Sequence, residues 1–476
     1  MRAILFAALS TAVLAACGGG AGSSTGPMQN SAPVVTSGTI TAFGSVYVNG
    51  VRYDVSAATL KKNGRTVAQS DLAVGEVALV SGQQDLQSQQ GTATHVDVED
   101  NVVGPISAIA ASQLTVLGQT INVTATTSFG KGIMPADLTG LKVGDSVEVS
   151  GLVGSGGVIA ATRIGRAGAN EGLQVLGTVA GTVSSAHTFT INGLTVDFSS
   201  AALTGFTNGQ PADGNLVVVS GGTFDAAMMT LKAAAVTLAG TDPREAAAGG
   251  RVEQEGLITR FVSATDFDVA GSKVTTTGAT VYKGGSAADL VLNARVEVRG
   301  TVDAGGVLVA DAIEIPHVSA LEIEAALVTA PTANALVLLG VSIAVDSNTR
   351  FEDKSAAELQ LFTLKDVAVG DTLLVRGYES PLGSGNLLAT RVERLPPSTS
   401  VIVRGAFSAP ATPLFKILGI TVDTTGATFG LDEGNQTLTS AQFFTQAMGQ
   451  IVAARGTATG NTVTATTVQI DSHEDR

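Results

Sequence analysis

The densest group of residues able to do chemistry is His95-Val96-Asp97-Val98-Glu99-Asp100. Side chains alternate between the faces of a strand, so His95, Asp97 and Glu99 would share one face. An imidazole and two carboxylates form a donor set that a divalent metal can use. Acidic residues also recur one position after a turn glycine, at Glu76, Asp145 and Asp371. The four histidines, His95, His187, His317 and His473, never fall at helical metal spacing, and no serine sits in a Gly-x-Ser-x-Gly elbow. No Asp-x-Asp-x-Asp-Gly calcium loop occurs, and Gly18-Gly19-Gly20 lacks the strand-to-helix setting of a phosphate loop. The single cysteine, Cys17, excludes a disulfide or thiolate zinc site within one molecule. Sugar-stacking rings are scarce: Trp is absent and the tyrosines are Tyr47, Tyr53, Tyr282 and Tyr378. Tyr47 and Tyr53 flank one hairpin, as a small contact patch or as core filling. No catalytic, cofactor or metal residue is assigned, and an enzyme is not expected.

The elements that must position these groups repeat. Hydrophobic residues make up 44% of the 476 and charged residues 14%, which suits folded cores more than disorder. Gly, Val and Thr are abundant, as in short strands joined by tight turns. A unit of roughly 60–75 residues, an ordinary size for a small domain, recurs with four landmarks. It opens on a Gly-x-aliphatic strand, as at Gly38-Thr39-Ile40, Gly104-Pro105-Ile106, Gly177-Thr178-Val179, Gly256-Leu257-Ile258 and Gly405-Ala406-Phe407; Ala325-Ala326-Leu327 replaces it once. A hairpin follows, turning at Asn49-Gly50, Leu117-Gly118, Asn192-Gly193, Ala270-Gly271, Leu339-Gly340 or Leu418-Gly419. A polar, partly helical segment then leads to a strand expected to end at Gly82, Gly151, Gly221, Gly300, Gly377 or Gly456. A closing strand such as Ala93-Thr94-His95-Val96 or Ala389-Thr390-Arg391-Val392 completes the unit.

Alignment of the units bears on the metal reading. The slot of His95 is filled by Arg163, Ala312, Arg391 and Thr467 in other copies, as expected of a solvent-facing position. Glu76, Asp145 and Asp371 read as residues that keep a turn wet. About five short strands with an inserted helical turn before the fourth is the layout of an OB-type barrel, and closure would remove exposed edges. A six-bladed propeller is the competing architecture. The expected fold is therefore all-β: tandem small five-stranded OB-like barrels at 38–100, 102–166, 175–239, 252–316, 320–395 and 400–471.

These landmarks resemble a bacterial family known only as a domain of unknown function, family 5666, which occurs in tandem on exported lipoproteins. The resemblance covers about Gly38 to Ile470 and implies no catalytic residues. At the amino terminus Met1-Arg2 precedes an apolar stretch from Ala3 to Val13, too short for a stable span of about 20 residues. Leu14-Ala15-Ala16-Cys17 then resembles the lipobox of bacterial lipoproteins. That resemblance implies a signal peptide over 1–16, lipid attachment at Cys17 and a flexible tether over 17–37. Gly18, where an Asp would favour the inner membrane, implies the outer membrane. The net charge of −14, with basic residues scattered, argues against a nucleic-acid partner. The expected function is a lipid-anchored, non-catalytic envelope scaffold or protein-binding array. The alternative is a module binding a metal ion or envelope glycan on the barrel faces.

Overall fold

The computed structural model describes residues 31–471 except 86–87, 111, 125, 169–170, 240–247, 317–320, 382–383 and 432–436. Cys17, His317 and His473 therefore lie outside the described residues. No helix among the described residues is long and apolar enough to cross a membrane.

The first unit shows how the sequence makes a barrel. Its opening strand, Ser31–Ala42, pairs with Val46–Val48, which turns back into Val51–Asp54. The turn residues Asn49 and Gly50 have φ of 51° and 71°, the pair of positive values that matches strand twist in a two-residue hairpin. Val51–Asp54 lies parallel to the closing strand Gln90–Val98. That strand pairs with Val77–Asp85, which returns to Ser31–Ala42 and closes the ring. The alternating apolar residues Val46, Val48, Val51, Tyr53, Val80, Val96 and Val98 fill the interior and are almost fully buried. Each buried aliphatic side chain of this kind contributes roughly 1.5–3 kcal/mol.

The same ring of ladders closes in the second and fourth units, at 102–166 and 251–314. In the sixth the opening strand is split into Val401–Ala406 and Ser408–Ala411. The third unit keeps the order but breaks its last two strands, into Leu216–Ser220 with Thr223–Asp225 and Thr230–Lys232 with Ala235–Leu238. A short helical turn precedes the fourth barrel strand at Gln69–Asp71, Leu138–Gly140, Ala287–Asp289 and Leu364–Asp366, and the sixth unit has the helix Ser440–Gln446.

Three features depart from the sequence reading. The glycines expected to end the fourth strand do not end it. Strands run on to Asp85, Val153, Val302, Glu379 and Thr459, and Gly82, Gly151, Gly300, Gly377 and Gly456 mark bulges where the register with the closing strand slips. A Cβ at any of them would be driven into a backbone carbonyl of the closing strand. In the third unit the corresponding break falls at Gly221-Gly222. Each unit also carries an extra short strand parallel to the far end of its closing strand: Thr59–Lys62, Ser128–Phe129, Ala202–Thr204, Val281–Lys283, Arg350–Asp353 and Thr428–Leu431. Finally, Ser31 to Ser37, expected as part of the tether, belong to the opening strand: they pair with Val77–Asp85 of their own barrel and, from Val34 to Ser37, with another barrel as well.

The barrels are joined through their opening strands. Val34 to Ser37 lie parallel to Arg251 to Gln254, fusing the first and fourth units into one sheet. Gln174 and Val175 pair with Val103 and Val102, fusing the second and third. Glu322 to Glu324 pair with Arg404 to Ile402, fusing the fifth and sixth. The second and third units share one apolar cluster, as do the fifth and sixth; the first and fourth keep separate cores. The chain is thus three two-barrel modules, with the first module made from units distant in sequence.

Candidate functional site

Where the modules meet, the surface is charged instead of apolar. The extra strand of each unit points its interior side chains into its own core and its alternate side chains outward. In Arg350–Asp353, Phe351 joins the core of the fifth and sixth units while Arg350 and Glu352 project to the junction. The junction holds an open-sided cavity of about 350 Å³, lined by the first unit (Thr39, Asn49), the fourth (Glu255, Arg295, Glu297, Glu314) and the fifth (Asn348, Arg350, Arg376, Arg391), with Thr126 of the second at its edge.

One wall is built on Glu255. Its Oε1 accepts a bond from Arg295 Nε at 2.6 Å, and its Oε2 accepts from Thr39 N and Oγ1, each at 2.7 Å. Burial pushes this carboxyl up, but the Arg295 and Arg350 guanidiniums outweigh it and hold the group at about 2. On the neighbouring strand Glu297 stands directly opposite Glu314 in the ladder, a like-charge pairing that costs stability. Arg299 reaches Glu297 at 2.7 Å and Glu253 at 3.4 Å, so one cation serves several acids. Burial first, and then Glu314, Glu253 and Glu255, raise Glu297 to about 8 despite Arg299.

A pH prediction follows from Glu297. Its ordinary value is 4.5 and its folded value about 8. Between these limits the folded chain keeps a proton that the unfolded chain releases, so this group's contribution falls as pH rises through the window. Glu297→Gln should match the parent near pH 5 and exceed it by on the order of 2 kcal/mol near pH 9. Urea unfolding followed by circular dichroism at the two pH values checks this, and parallel pH slopes would refute it.

Two further seams carry buried charge. Between the first and second units, Lys62 bonds Glu76 at 2.7 Å and Glu148 at 2.9 Å, with Asp100 behind them. Burial would lower the ammonium, but Asp100, Glu76 and Glu148 together raise it. Between the second and fifth units, Arg391 donates to Thr127 O at 3.1 Å, Ser128 Oγ at 2.9 Å and Glu352 at 3.0 Å, and also to Glu393. Ser128 Oγ donates to Glu352 at 2.7 Å, and Lys354 pairs with Glu393 at 2.5 Å. Burial raises Glu393, and Arg391, Lys354 and Arg376 bring it down to about 2.

The residues singled out from sequence fall elsewhere. His95 is exposed and its ring bonds only Thr94 among the described residues, at 3.3 Å, while Glu99 accepts from Gln174 across the seam. No three His, Cys, Asp or Glu side chains gather as a metal site among the described residues. Glu76, Asp145 and Asp371 do not simply keep a turn wet. Each accepts from the backbone N–H three residues earlier, at Ala73, Lys142 and Ala368, and so clamps the turn; Glu76 is 1% exposed. Tyr53 is core, its hydroxyl 2.6 Å from Thr36 Oγ1, and Tyr47 is half-buried. The charged strand residues Lys62, Arg350 and Glu352 escaped the sequence reading. A signal was present in Arg350-Phe351-Glu352-Asp353-Lys354, which packs four charges into five residues of a chain with 14% charge overall.

Comparison with known proteins agrees with the repeats. The model of a domain of unknown function (DUF5666) matches residues 34–97, 103–165, 255–314, 325–393 and 405–469. It passes over the third unit, the one whose last two strands are broken. No curated protein matches the chain. With five copies covering well over half its length, the chain belongs to the DUF5666 family.

Proposed function

We propose that the chain is a lipid-anchored, non-catalytic scaffold of the cell envelope, tethered through Cys17. The observation that carries this reading is the fusion of barrels by their opening strands, with the ion pairs Lys62–Glu148 and Arg163–Glu352, little exposed, tying the modules to one another. Such joints hold surfaces in fixed relation, as a scaffold or a protein-binding array requires. The acid that recurs in the repeats, at Glu76, Asp145 and Asp371, clamps a turn, which suits a structural role more than catalysis. Each closed ring, with a helical turn before its fourth strand, supports an OB-type reading of the barrels. Leu14-Ala15-Ala16-Cys17 supports lipid attachment, and Gly18 supports the outer membrane. Partners in this reading are the membrane, through the lipid, and an envelope protein or glycan.

Labelled palmitate should enter the protein in a bacterial host and be lost in Cys17→Ala, with the variant moving from the membrane to the soluble fraction. Label persisting in the variant, or never entering the parent, would overturn the anchor. The second reading, a ligand-binding module, is favoured by the junction cavity, which lies between barrels and not on their open faces.

A further inference from the structure

Arg350 is 7% exposed, lines the junction cavity, and makes no side-chain hydrogen bond or ion pair among the described residues. A guanidinium carries five donors and no acceptor, and one that faces a cavity without a protein partner has those donors available to an anion there. The carboxylates around it are committed. Glu255 uses both oxygens on Arg295 and Thr39, Glu314 accepts from Asn348 at 3.1 Å, and Glu352 turns to Ser128 and Arg391. Burial and the flanking Arg295 and Arg391 together push Arg350 down to about 9, against the pull of Glu255 and Glu352.

We propose that this cavity binds a small oxyanion, a carboxylate or phosphate group, on the guanidinium of Arg350. The fork of a guanidinium matches two oxygens of such a group, and a charge-assisted bond of that kind is roughly twice as strong as a neutral one. The space is sufficient, since about 350 Å³ lies within the range of small-molecule sites. Lys283, exposed at the edge and without an ion pair among the described residues, offers a second cation to a ligand with two anionic groups. The proposal goes beyond the scaffold reading and does not depend on it: loss of palmitate labelling and loss of anion binding are separate outcomes.

The test is calorimetry and thermal unfolding of the full-length protein with inorganic phosphate and with succinate, at ionic strength held constant with sodium chloride. Saturable binding and a rising midpoint are expected for at least one of the two, and which one responds identifies the group. Arg350→Met should weaken that binding at least tenfold while folding normally, because it removes an uncompensated charge. Arg350→Lys, which keeps the charge without the fork, should weaken it less and decides the matter if the methionine variant fails to fold. Lys416→Ala, at an exposed position of the sixth unit, should bind as the parent does. No saturable response to either anion up to about 10 mM, a range that covers weak sites, would overturn the proposal. So would equal binding by Arg350→Met, or chloride alone reproducing the effect.

Discussion

Arg391→Ala should lower stability by about 3–5 kcal/mol, the loss expected when one member of a buried ion pair is removed. Arg391 is 4% exposed and Glu393 is 2% exposed, so water cannot readily replace the missing cation. The truncation also strips Thr127 O, Ser128 Oγ and Glu352 of a donor, which couples the second unit to the fifth. Glu393 keeps Lys354, and Glu352 keeps Ser128, so the damage is an uncompensated surplus of one negative charge. Arg391→Met with Glu393→Leu should recover much of the loss, because the pair is then replaced by apolar volume. The chain has no tryptophan, so far-ultraviolet circular dichroism in urea is the suitable measurement. Several modules need not unfold together, and the transition midpoint is to be compared at unchanged slope. A loss below about 1 kcal/mol would mean that the seam is solvated, as at a surface pair.

Gly377→Val tests the bulge in the same way. A Cβ at Gly377 would overlap the carbonyl of Leu388, with the Cα of Ala389 close behind, and neither atom belongs to a side chain that can swing away. The strand must shift or the register with Leu387–Leu395 must change, at about 3 kcal/mol for an overpacked site of this kind. Because bulges bend and twist the strand that carries them, the loss reaches barrel closure as well as one contact. Gly306→Asn is the control: its φ is 76°, a Cβ there would meet nothing, and asparagine tolerates that conformation. The control should cost less than about 1 kcal/mol. Comparable midpoints for the two variants would remove the bulge from the account.

Local chemistry made the small barrels legible. Asn49-Gly50 and Asn192-Gly193 name their turns outright, and the alternating valines around them name the buried face. The Leu-Gly and Ala-Gly turns were found by their place in the repeat, and the structure gives Leu117, Ala270, Leu339 and Leu418 the same positive φ, from 45° to 50°. The bulge glycines were seen but misread, because a glycine that ends a strand and one that admits a close carbonyl look alike in a single sequence. The junction was hidden for a different reason. Lys62 and Glu148 lie in different units, as do Arg350 and Glu255, and only the packing of whole barrels brings each pair to its seam. Solvent-facing was the natural reading for such residues in an isolated barrel. Fusion of barrels buries them.

The parallel joint between Val34–Ser37 and Arg251–Gln254 also sets an order in time. It cannot form until residue 254 exists, whereas the joint between Val102 and Val175 is complete within the intervening chain. The second module is therefore nested inside the first, like an inner bracket that closes before the outer one. Until then the opening strand of the first barrel presents Val34, Val35 and Thr36 as an unsealed edge, the kind that invites a foreign strand. The amino-terminal barrel is the first made and, by this topology, cannot be the first finished.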